Sequence, residues 1–323
     1  MLRIGGWCVL ILGAIVQAVG AQATAPDTMW AVRVNTEVTI GGFLDSEVWQ
    51  NARWISDFTQ RELHEGQPAT ERTEAAVLYN QDNLYIGVRC WDSDPEGIVA
   101  QKMKRDFDFQ TEDDIEIVID TYHDARNGYL FVTNPLGARA DILTQDNGRR
   151  FNMSWDGVWD VETRRTDKGW AALFVIPFST LKFSSDSVQV WGTNFERNIR
   201  RKREQVRWQG WTRDARLTQV SRAGVLVGLR GLNATRLIEF KPYSAVGLEK
   251  DHTSPTSSVE KFGGDINFLV TPTMKLNLTL HTDFAQAESD RAQVNLTRFS
   301  LFFPEKREFF LEGADYFNFG LGH

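Results

Sequence analysis

Almost every segment of this chain alternates apolar and polar residues with a period of two, the periodicity of a β-strand with one buried face. The clearest case is 115-IEIVID-120, which places Ile115, Ile117 and Ile119 on one face. Similar runs occur at 74–92, 128–135, 157–177, 188–199 and 223–229, and polar turns such as 80-NQDN-83 and 167-DKG-169 lie within or between them. Short helical turns are expected only at 44–52 and 177–183. The spacing predicts an all-β domain, an antiparallel β-sandwich, over residues 24–230.

The pattern changes after residue 230. The runs 236–249, 262–270 and 275–284 alternate without interruption, at roughly the ten residues per strand typical of a transmembrane β-barrel. Residues 231–323 are therefore predicted to be the first strands of an outer-membrane-type β-barrel, with membrane lipid as a partner. Such a barrel needs about eight strands or more, so it is expected to be incomplete here. A sheet with one face in water is the alternative.

Residues 1–23 have the three parts of a secretory signal peptide. Arg3 supplies the positive charge, 7-WCVLILGAIVQAVG-20 the apolar stretch, and Ala21 and Ala23 the small residues of a cleavage site. We therefore expect an exported protein of the bacterial cell envelope, in the outer membrane or the periplasm. Cys90 is then the one cysteine of the mature chain, so no internal disulfide is expected. Nucleic acid is not an expected partner, because the net charge is −7.

The segment 111-TEDDIEIVIDTYHD-124 surrounds the predicted core strand with carboxylates, and three kinds of site could use them. Asp114 and Glu116 share the polar face of the strand, as a pair of catalytic carboxyls in a glycoside hydrolase would. A structural calcium ion could take oxygen ligands from 91-WDSDPE-96 and 112-EDD-114. A sugar-binding rim could use carboxylates to accept hydrogen bonds from hydroxyl groups.

Aromatic residues are abundant, with 11 Trp and 21 Phe. Two Trp-containing stretches have polar neighbours suited to stacking on sugar rings, 154-SWDGVWD-160 and 207-RWQGWTRD-214, so Trp155 and Trp211 are candidate sugar contacts. Three other tryptophans have apolar neighbours and are expected in the core: Trp49, Trp170 and Trp191. The basic run 200-RRKR-203 is expected to form a solvated strand or turn.

Several motifs resemble, in order along the chain, the carbohydrate-binding module family 9-like domains. The segment 40-IGGFLDSEVWQNA-52 is similar to the opening motif I-D-G-x-L-D-E-x-x-W-x-x-A of that family. It is followed by 77-VLYNQDNLYIGVRCWDSDP-95, 113-DDIEIVIDTYHD-124 and 169-GWAALFVIPFSTLKF-183. The resemblance covers roughly residues 30–230. The continuation 283–313 resembles the DUF5916 region of bacterial outer-membrane proteins, which is regarded as the start of a β-barrel.

The resemblance implies a β-sandwich that binds glycan and calcium, often beside catalytic modules in xylan-degrading enzymes. In the family, a sugar lies between two Trp rings, and an acidic side chain of the strand holds its hydroxyl groups. In this sequence the acidic position of the family corresponds to Glu116, and one of the two Trp positions corresponds to Trp211. At the other Trp position this sequence has Gln110. Arg105 and Asp106, near the same rim, are further candidate contacts.

These observations together predict non-catalytic carbohydrate binding by residues 24–230, with an oligo- or polysaccharide as partner and a role in glycan capture or catabolism. Two alternatives stay open at this point. One is a glycoside hydrolase that acts through Glu116 and a second carboxyl, and the other is a structural or plug domain of an outer-membrane transporter. Other classes have no support, since the sequence contains no G-x-S-x-G, no paired histidines and no G-x-x-x-x-G-K-[ST].

Overall fold

The computed structural model describes residues 27–35, 38, 44–153, 155–232, 238–249, 257–271 and 274–280. The predicted signal peptide 1–23 and the segments 283–313 and 298–323 lie outside these residues. No helix in the described part has the length and apolarity of a membrane span.

The described residues form β-strands joined by turns and short 3-10 segments. The strands are β1 (Thr28–Arg33), β2 (Thr59–Glu62), β3 (Thr73–Tyr79), β4 (Asn83–Trp91), β5 (Asp114–Asp120), β6 (Gly128–Thr133), β7 (Arg139–Gln145), β8 (Arg150–Asn152), β9 (Asp160–Thr166), β10 (Gly169–Pro177), β11 (Val188–Ile199), β12 (Glu204–Arg207), β13 (Gly224–Arg230), β14 (Ile238–Glu249), β15 (Ser257–Thr271) and β16 (Met274–Leu280). The 3-10 turns are Glu47–Asn51, Pro95–Gly97, Phe109–Thr111, Phe178–Thr180, Arg200–Lys202 and Val220–Arg222. The first and fourth of these turns were expected; the others were not.

β1 to β13 curl into a sandwich of two layers. One layer has the order β8-β7-β6-β5-β11-β13. β12 pairs with the C-terminal part of β11, beyond the residues of β11 that pair with β13, and β12 pairs on its other side with β2. The other layer has the order β1-β3-β4-β10-β9. β1 joins the layers, because Thr28–Trp30 pair with β13 and Ala31–Arg33 pair with β3. Both pairings of β1 are parallel, so the otherwise antiparallel arrangement has one exception that the sequence did not indicate.

The main core lies between the layers. Ile115, Ile117 and Ile119 are completely buried in it, as their alternation predicted. Burial of side chains of this size contributes about 1.5–3 kcal/mol each. An aromatic bridge crosses the sandwich, since the Trp159 ring packs edge-on to Phe131 at 5.2 Å between centroids and stacks on Phe174 at 5.8 Å. The position of one layer relative to the other is therefore fixed by the packing of large aromatic side chains.

Smaller apolar clusters cover the outer faces of both layers. Leu44 and Trp49, from the segment before β2, pack on Leu78 of β3 and Leu173 of β10. On the other layer, a cluster that includes Phe107 and Leu217 packs on β5, β6 and β7. Central strands such as β3, β5 and β6 are consequently buried on both sides.

Several sequence predictions about local structure are confirmed. The hairpin β3–β4 turns at 80–83, and the hairpin β9–β10 turns at 167–168. Trp49, Trp170 and Trp191 are each at most 2% exposed. Cys90 is buried, and this burial raises the pKa of its thiol to about 12.

β14, β15 and β16 form a separate antiparallel sheet of three strands. Its strands agree with the three alternating runs of the C-terminal sequence. Phe240, Ile266 and Leu278 lie side by side across it, and Leu276 and Leu280 share their face. These side chains are exposed, from 39% for Ile266 to 67% for Leu280. The predicted apolar face is therefore present and uncovered in the described residues.

Candidate functional site

A cleft of about 550 Å³ opens on the outer face of the first layer. Its floor is formed by β5, β11 and β12, and its walls by the Phe109–Thr111 turn, the β8 region and the loop 208–219. A volume of this size is typical of small-molecule binding sites.

Two cross-strand rows of polar side chains lie at the floor of the cleft, and all of them line it except Asp114, which is completely buried beneath the floor. In one row Glu116 of β5 is opposite Glu196 of β11, which is opposite Arg207 of β12. In the next row, Asp114 is opposite Asn198, which is opposite Gln205. The rows exist because strands have a period of two, so residues two apart in each strand point to the same face.

Hydrogen bonds connect the second row into a chain. Arg61 Nη1 donates to Gln205 Oε1 at 2.7 Å, and Gln205 Nε2 donates to Asn198 Oδ1 at 3.1 Å. Asn198 Nδ2 then donates to Asp114 Oδ1 at 2.8 Å and to Glu116 Oε1 at 3.1 Å. Such a chain fixes which atoms donate and which accept, which pre-organises the floor for a ligand with hydroxyl groups.

The carboxyls on the floor outnumber the cations buried with them. Arg207 Nε donates to Glu196 Oε2 at 2.6 Å, so its charge is matched by Glu196. Burial, then the neighbouring Glu196 carboxylate, raises the pKa of Glu116 to about 8. Burial and the proximity of Glu116 also raise the pKa of Asp114 well above its ordinary value. At neutral pH the Glu116 carboxyl is therefore largely protonated, so it donates as well as accepts hydrogen bonds.

Apolar side chains stand on the walls above this polar floor. Phe109 is half-buried and its ring meets Phe107 edge-on, with centroids 6.1 Å apart. Phe151 and Met153, across the cleft rim, are 43% and 64% exposed. The combination of an accessible phenyl face with planar polar groups below it matches the two faces of a sugar ring, one apolar and one hydroxylated.

Two of the sequence-predicted site residues meet in this cleft. Glu116 lies on the floor and Gln110 lies on the wall, in the 3-10 turn with Phe109. Trp211 is not among the lining residues. It is half-buried in the loop 208–219, and its ring lies against Gly66. The predicted pair of rings around a sugar is thus absent from the described cleft, where Phe109 and Phe151 supply the aromatic surface.

Arg105, Asp106 and Trp155 lie outside the cleft lining. Arg105 Nη2 donates to Asp141 Oδ1 at 2.6 Å and also pairs with Asp156. The backbone N–H of Asp106 donates to the carbonyl of Arg139 at the start of β7, the strand next to the edge strand β8. The ring of Trp155 packs on Tyr129 and Phe131, on the core side of the sheet. These three residues hold the edge of the sandwich together, and their predicted contact with sugar stays a prediction.

The basic run 200–203 is only partly solvated, so that prediction was wrong for two of its residues. Arg201 pairs with Glu71 at 2.7 Å and with Asp92, and Lys202 pairs with Glu71 at 2.5 Å. Together these ion pairs anchor the Arg200–Lys202 turn against β4.

Sequence reasoning missed Glu196, Asn198 and Arg207. The signal that could have found the first two is the alternation in 194-NFERN-198, which puts Asn194, Glu196 and Asn198 on one face of β11. The pairing of that face with Glu116 depends on strand register, which the local sequence does not encode.

Most acidic side chains of the segments proposed for calcium have partners within the protein, although Asp113 Oδ1 and Asp114 Oδ2 are buried without one. Asp92 pairs with Arg197 and Arg201. Glu112 accepts from the backbone N–H groups of Gln101 and Lys102, at 3.1 and 3.0 Å. In the described part of the chain, no three acidic, histidine or cysteine side chains are grouped to hold a metal ion. The described residues therefore do not fit a calcium site.

Comparisons with known proteins give a family-model match for one part of the chain and a shared fold for another. Residues 233–321 match the family model described as a domain of unknown function, DUF5916. No curated protein matches the sequence. A solved structure described as a "putative carbohydrate-binding protein" from Bacteroides uniformis is similar, with a TM-score of 0.52 and 10% identity over 64% of this chain and 100% of that one.

A family 9 carbohydrate-binding module from Caldicellulosiruptor kristjanssonii, solved with cellotriose, has a TM-score of 0.45 and 14% identity over 66% of this chain and 100% of that one. The same organism's module with glucose has a TM-score of 0.44 and 12% identity, over 65% and 99% of the two chains. The B. uniformis structure shares the β-sandwich fold with this chain. The fold class expected from the sequence is thereby confirmed.

Proposed function

We propose that the cleft binds an oligo- or polysaccharide without catalysis. The observation that carries this proposal is the hydrogen-bonded floor of Glu116, Asn198 and Gln205, which lies below the rings of Phe109 and Phe151 and is tied to the buried Asp114. Planar amide and carboxyl groups recognise vicinal hydroxyls, while Phe151 offers a surface for a sugar ring. The fold that the sandwich shares with a described carbohydrate-binding protein supports the same conclusion.

Isothermal titration calorimetry of the full chain with xylo- and cello-oligosaccharides tests this function. We expect saturable binding and a loss on the order of tenfold in affinity for Asn198→Ala, because that amide connects two floor carboxyls. Trp211→Ala is the matched comparison: it lies outside the cleft lining and should bind like the wild type. Absence of saturable heat with every oligosaccharide would sink the proposal, and selective loss in Trp211→Ala would move the site to the loop 208–219.

A glycoside hydrolase is the second candidate, and one observation favours it. Glu116 and Glu196 face each other on adjacent strands, one with a raised pKa and the other paired with Arg207. A general acid beside an ionised carboxylate is the arrangement that glycosidic cleavage uses. This candidate predicts release of phenol from an aryl glycoside by the wild type and none by Glu116→Gln. If the wild type releases nothing, the candidate fails.

For the three-stranded sheet we propose contact with membrane lipid in an exported envelope protein. Its exposed face of Phe240, Ile266, Leu276, Leu278 and Leu280 supports this role, since apolar residues cover the lipid face of membrane strands. In co-flotation with phospholipid vesicles, Leu278→Asp should reduce the bound fraction, whereas Asn277→Asp should change it little. Equal flotation of the two variants would contradict lipid contact.

A further inference from the structure

The walls of the cleft carry arginines that have no carboxylate partner in the described part of the chain. Five arginines and four glutamates line the cleft, although the whole chain has a net charge of −7. Arg61 and Arg207 are engaged with floor and loop groups. Three others are exposed and pair with no carboxylate among the described residues: Arg200, Arg203 and Arg216.

Two of these arginines, Arg200 and Arg203, lie on a turn whose backbone is held in place by ion pairs on the side away from the cleft. In the turn Arg200–Lys202, Arg201 and Lys202 point away from the cleft and pair with Glu71 and Asp92. The backbone then turns at Arg203, which has a φ of 54°. The two middle members of the basic run are thus held in ion pairs on the side away from the cleft, which leaves Arg200 and Arg203 at the cleft.

The third arginine stands on the loop 208–219, which is also anchored. Arg61 Nε donates to the carbonyl of Ala215 at 3.1 Å, and Arg207 Nη1 donates to that of Gly210 at 2.8 Å. Arg216 follows Ala215 directly and lines the cleft with Leu217. Guanidinium groups therefore occur on two separate elements around one cavity.

The carboxyls of the cleft do not balance these cations. Glu196 faces Arg207, and Glu204 accepts from the backbone N–H of Thr70 at 2.8 Å. Glu62 lies 3.6 Å from Arg61 and 3.4 Å from Arg213. Glu116 is the remaining acid, and its raised pKa of about 8 keeps it largely protonated at neutral pH. The cleft thus has an excess of positive charge.

We propose that the saccharide bound in this cleft is anionic and carries carboxylate groups, as hexuronic acid units do. The proposal rests on the proposed function and specifies its ligand class. Guanidinium groups make paired, charge-assisted hydrogen bonds with planar carboxylates, which neutral sugars do not offer. An acidic sugar would place its hydroxyls on the floor and its carboxylates toward Arg200, Arg203 and Arg216.

The test compares matched ligands by calorimetry on the full chain at pH 7. The ligands are a hexuronic acid trisaccharide, the same trisaccharide with every carboxyl reduced to the alcohol, and that reduced trisaccharide after sulfation. We expect the acid to bind on the order of tenfold or more tightly than the reduced form. In the triple variant Arg200→Gln, Arg203→Gln, Arg216→Gln the two should differ by less than about twofold.

Controls separate charge recognition from folding and from the sugar site itself. Arg230→Gln changes an exposed arginine at the Val188 end of β11, far along the strand from Glu196, and should leave both affinities unchanged. Each single arginine variant should retain the Trp fluorescence and melting temperature of the wild type, because these side chains are exposed.

Each outcome decides the matter. Equal affinity of wild type for the acid and reduced trisaccharides overturns the anionic ligand and leaves saccharide binding intact. The same holds if the triple variant keeps the full preference for the acid. If the sulfated trisaccharide binds more tightly than the acid, the preferred ligand group is sulfate and the carboxylate proposal is overturned. If inorganic sulfate competes as strongly as the acid, the arginines form a general anion site, which also overturns the proposal. No binding of any trisaccharide overturns the proposed function itself.

Discussion

The substitution Glu116→Gln should make the stability of the sandwich less dependent on pH. Glutamine keeps the size of the side chain and an oxygen that accepts from Asn198, but it cannot ionise. The pKa of Glu116 rises from the ordinary 4.5 to about 8 in the folded protein. Below pH 4.5 the Glu116 carboxyl is protonated in both the folded and the unfolded state, so its raised pKa does not lower the free energy of unfolding there.

Between those two values the unfolded chain releases the proton and the folded chain retains it, so stability falls as the pH rises. Each pH unit of this difference corresponds to about 1.4 kcal/mol. The full loss above pH 8 is then at most about 5 kcal/mol, and it is smaller where coupled carboxyls share protons. Part of the loss is already present at pH 5, so we expect Glu116→Gln to gain about 2 to 4 kcal/mol on the wild type between pH 5 and pH 9.

Urea unfolding at both pH values measures this gain, with Trp fluorescence as the signal because Trp170 and Trp191 are buried in the sandwich core. Asp114 also has a raised pKa, so some pH dependence should persist in the variant. Glu96→Gln, at an exposed glutamate in a 3-10 turn, is the control and should follow the wild type. Parallel pH curves for Glu116→Gln and the wild type would refute the reasoning.

Three further predictions concern the rest of the sandwich. Arg197→Met should lower the free energy of unfolding by about 3–5 kcal/mol, because it leaves Asp92 buried with less compensation; a change below about 1 kcal/mol in urea titration would contradict the role of that ion pair. Gly169→Ala should abolish soluble expression, since an added Cβ would lie 2.1 Å from the carbonyl oxygen of Cys90, whereas a Cβ at Gly231, which also has a positive φ of 60°, would meet only Arg33 Nη1 at 3.8 Å, and Gly231→Ala should fold. The Cys90 thiol, with a pKa raised to about 12, should resist alkylation at pH 8 until urea is added, as mass spectrometry of its peptide can measure; rapid labelling of the folded protein would contradict its burial.

The sequence predicted the strands best where alternation and turns agree. The run 115–120, the two hairpins and the long strand β11 were all expected, because period-two patterning directly encodes which face is buried. β1 and β7 were not, although β7 contains the buried Ala140 and Ile142. The parallel placement of β1 comes from tertiary pairing and has no local signature.

The site was predicted only in part, because the strand register that brings its residues together is not encoded in the local sequence. Glu116 was selected from a motif resemblance, but its partners Glu196, Asn198 and Arg207 come from strands about 80 to 90 residues away in the chain. Polar neighbours of tryptophan were a poor guide to accessibility. Trp159 and Trp208 have such neighbours, yet both are only 3% exposed because their rings fill the core. Whether a Trp ring is accessible to a sugar or buried in the core depends on how the whole sheet packs.

The placement of β1 has a consequence for how the chain matures. This strand pairs with β3 through one half and with β13, the last strand of the sandwich, through the other. Residues 28–33 are synthesised before the other strands of the sandwich, but they obtain their second partner only after Val225–Val227 have been made. Contacts between such distant segments slow folding, because the intervening chain must be ordered first. The two layers thus stay unjoined until synthesis of the sandwich is complete, and its first strand is among the last to find its place.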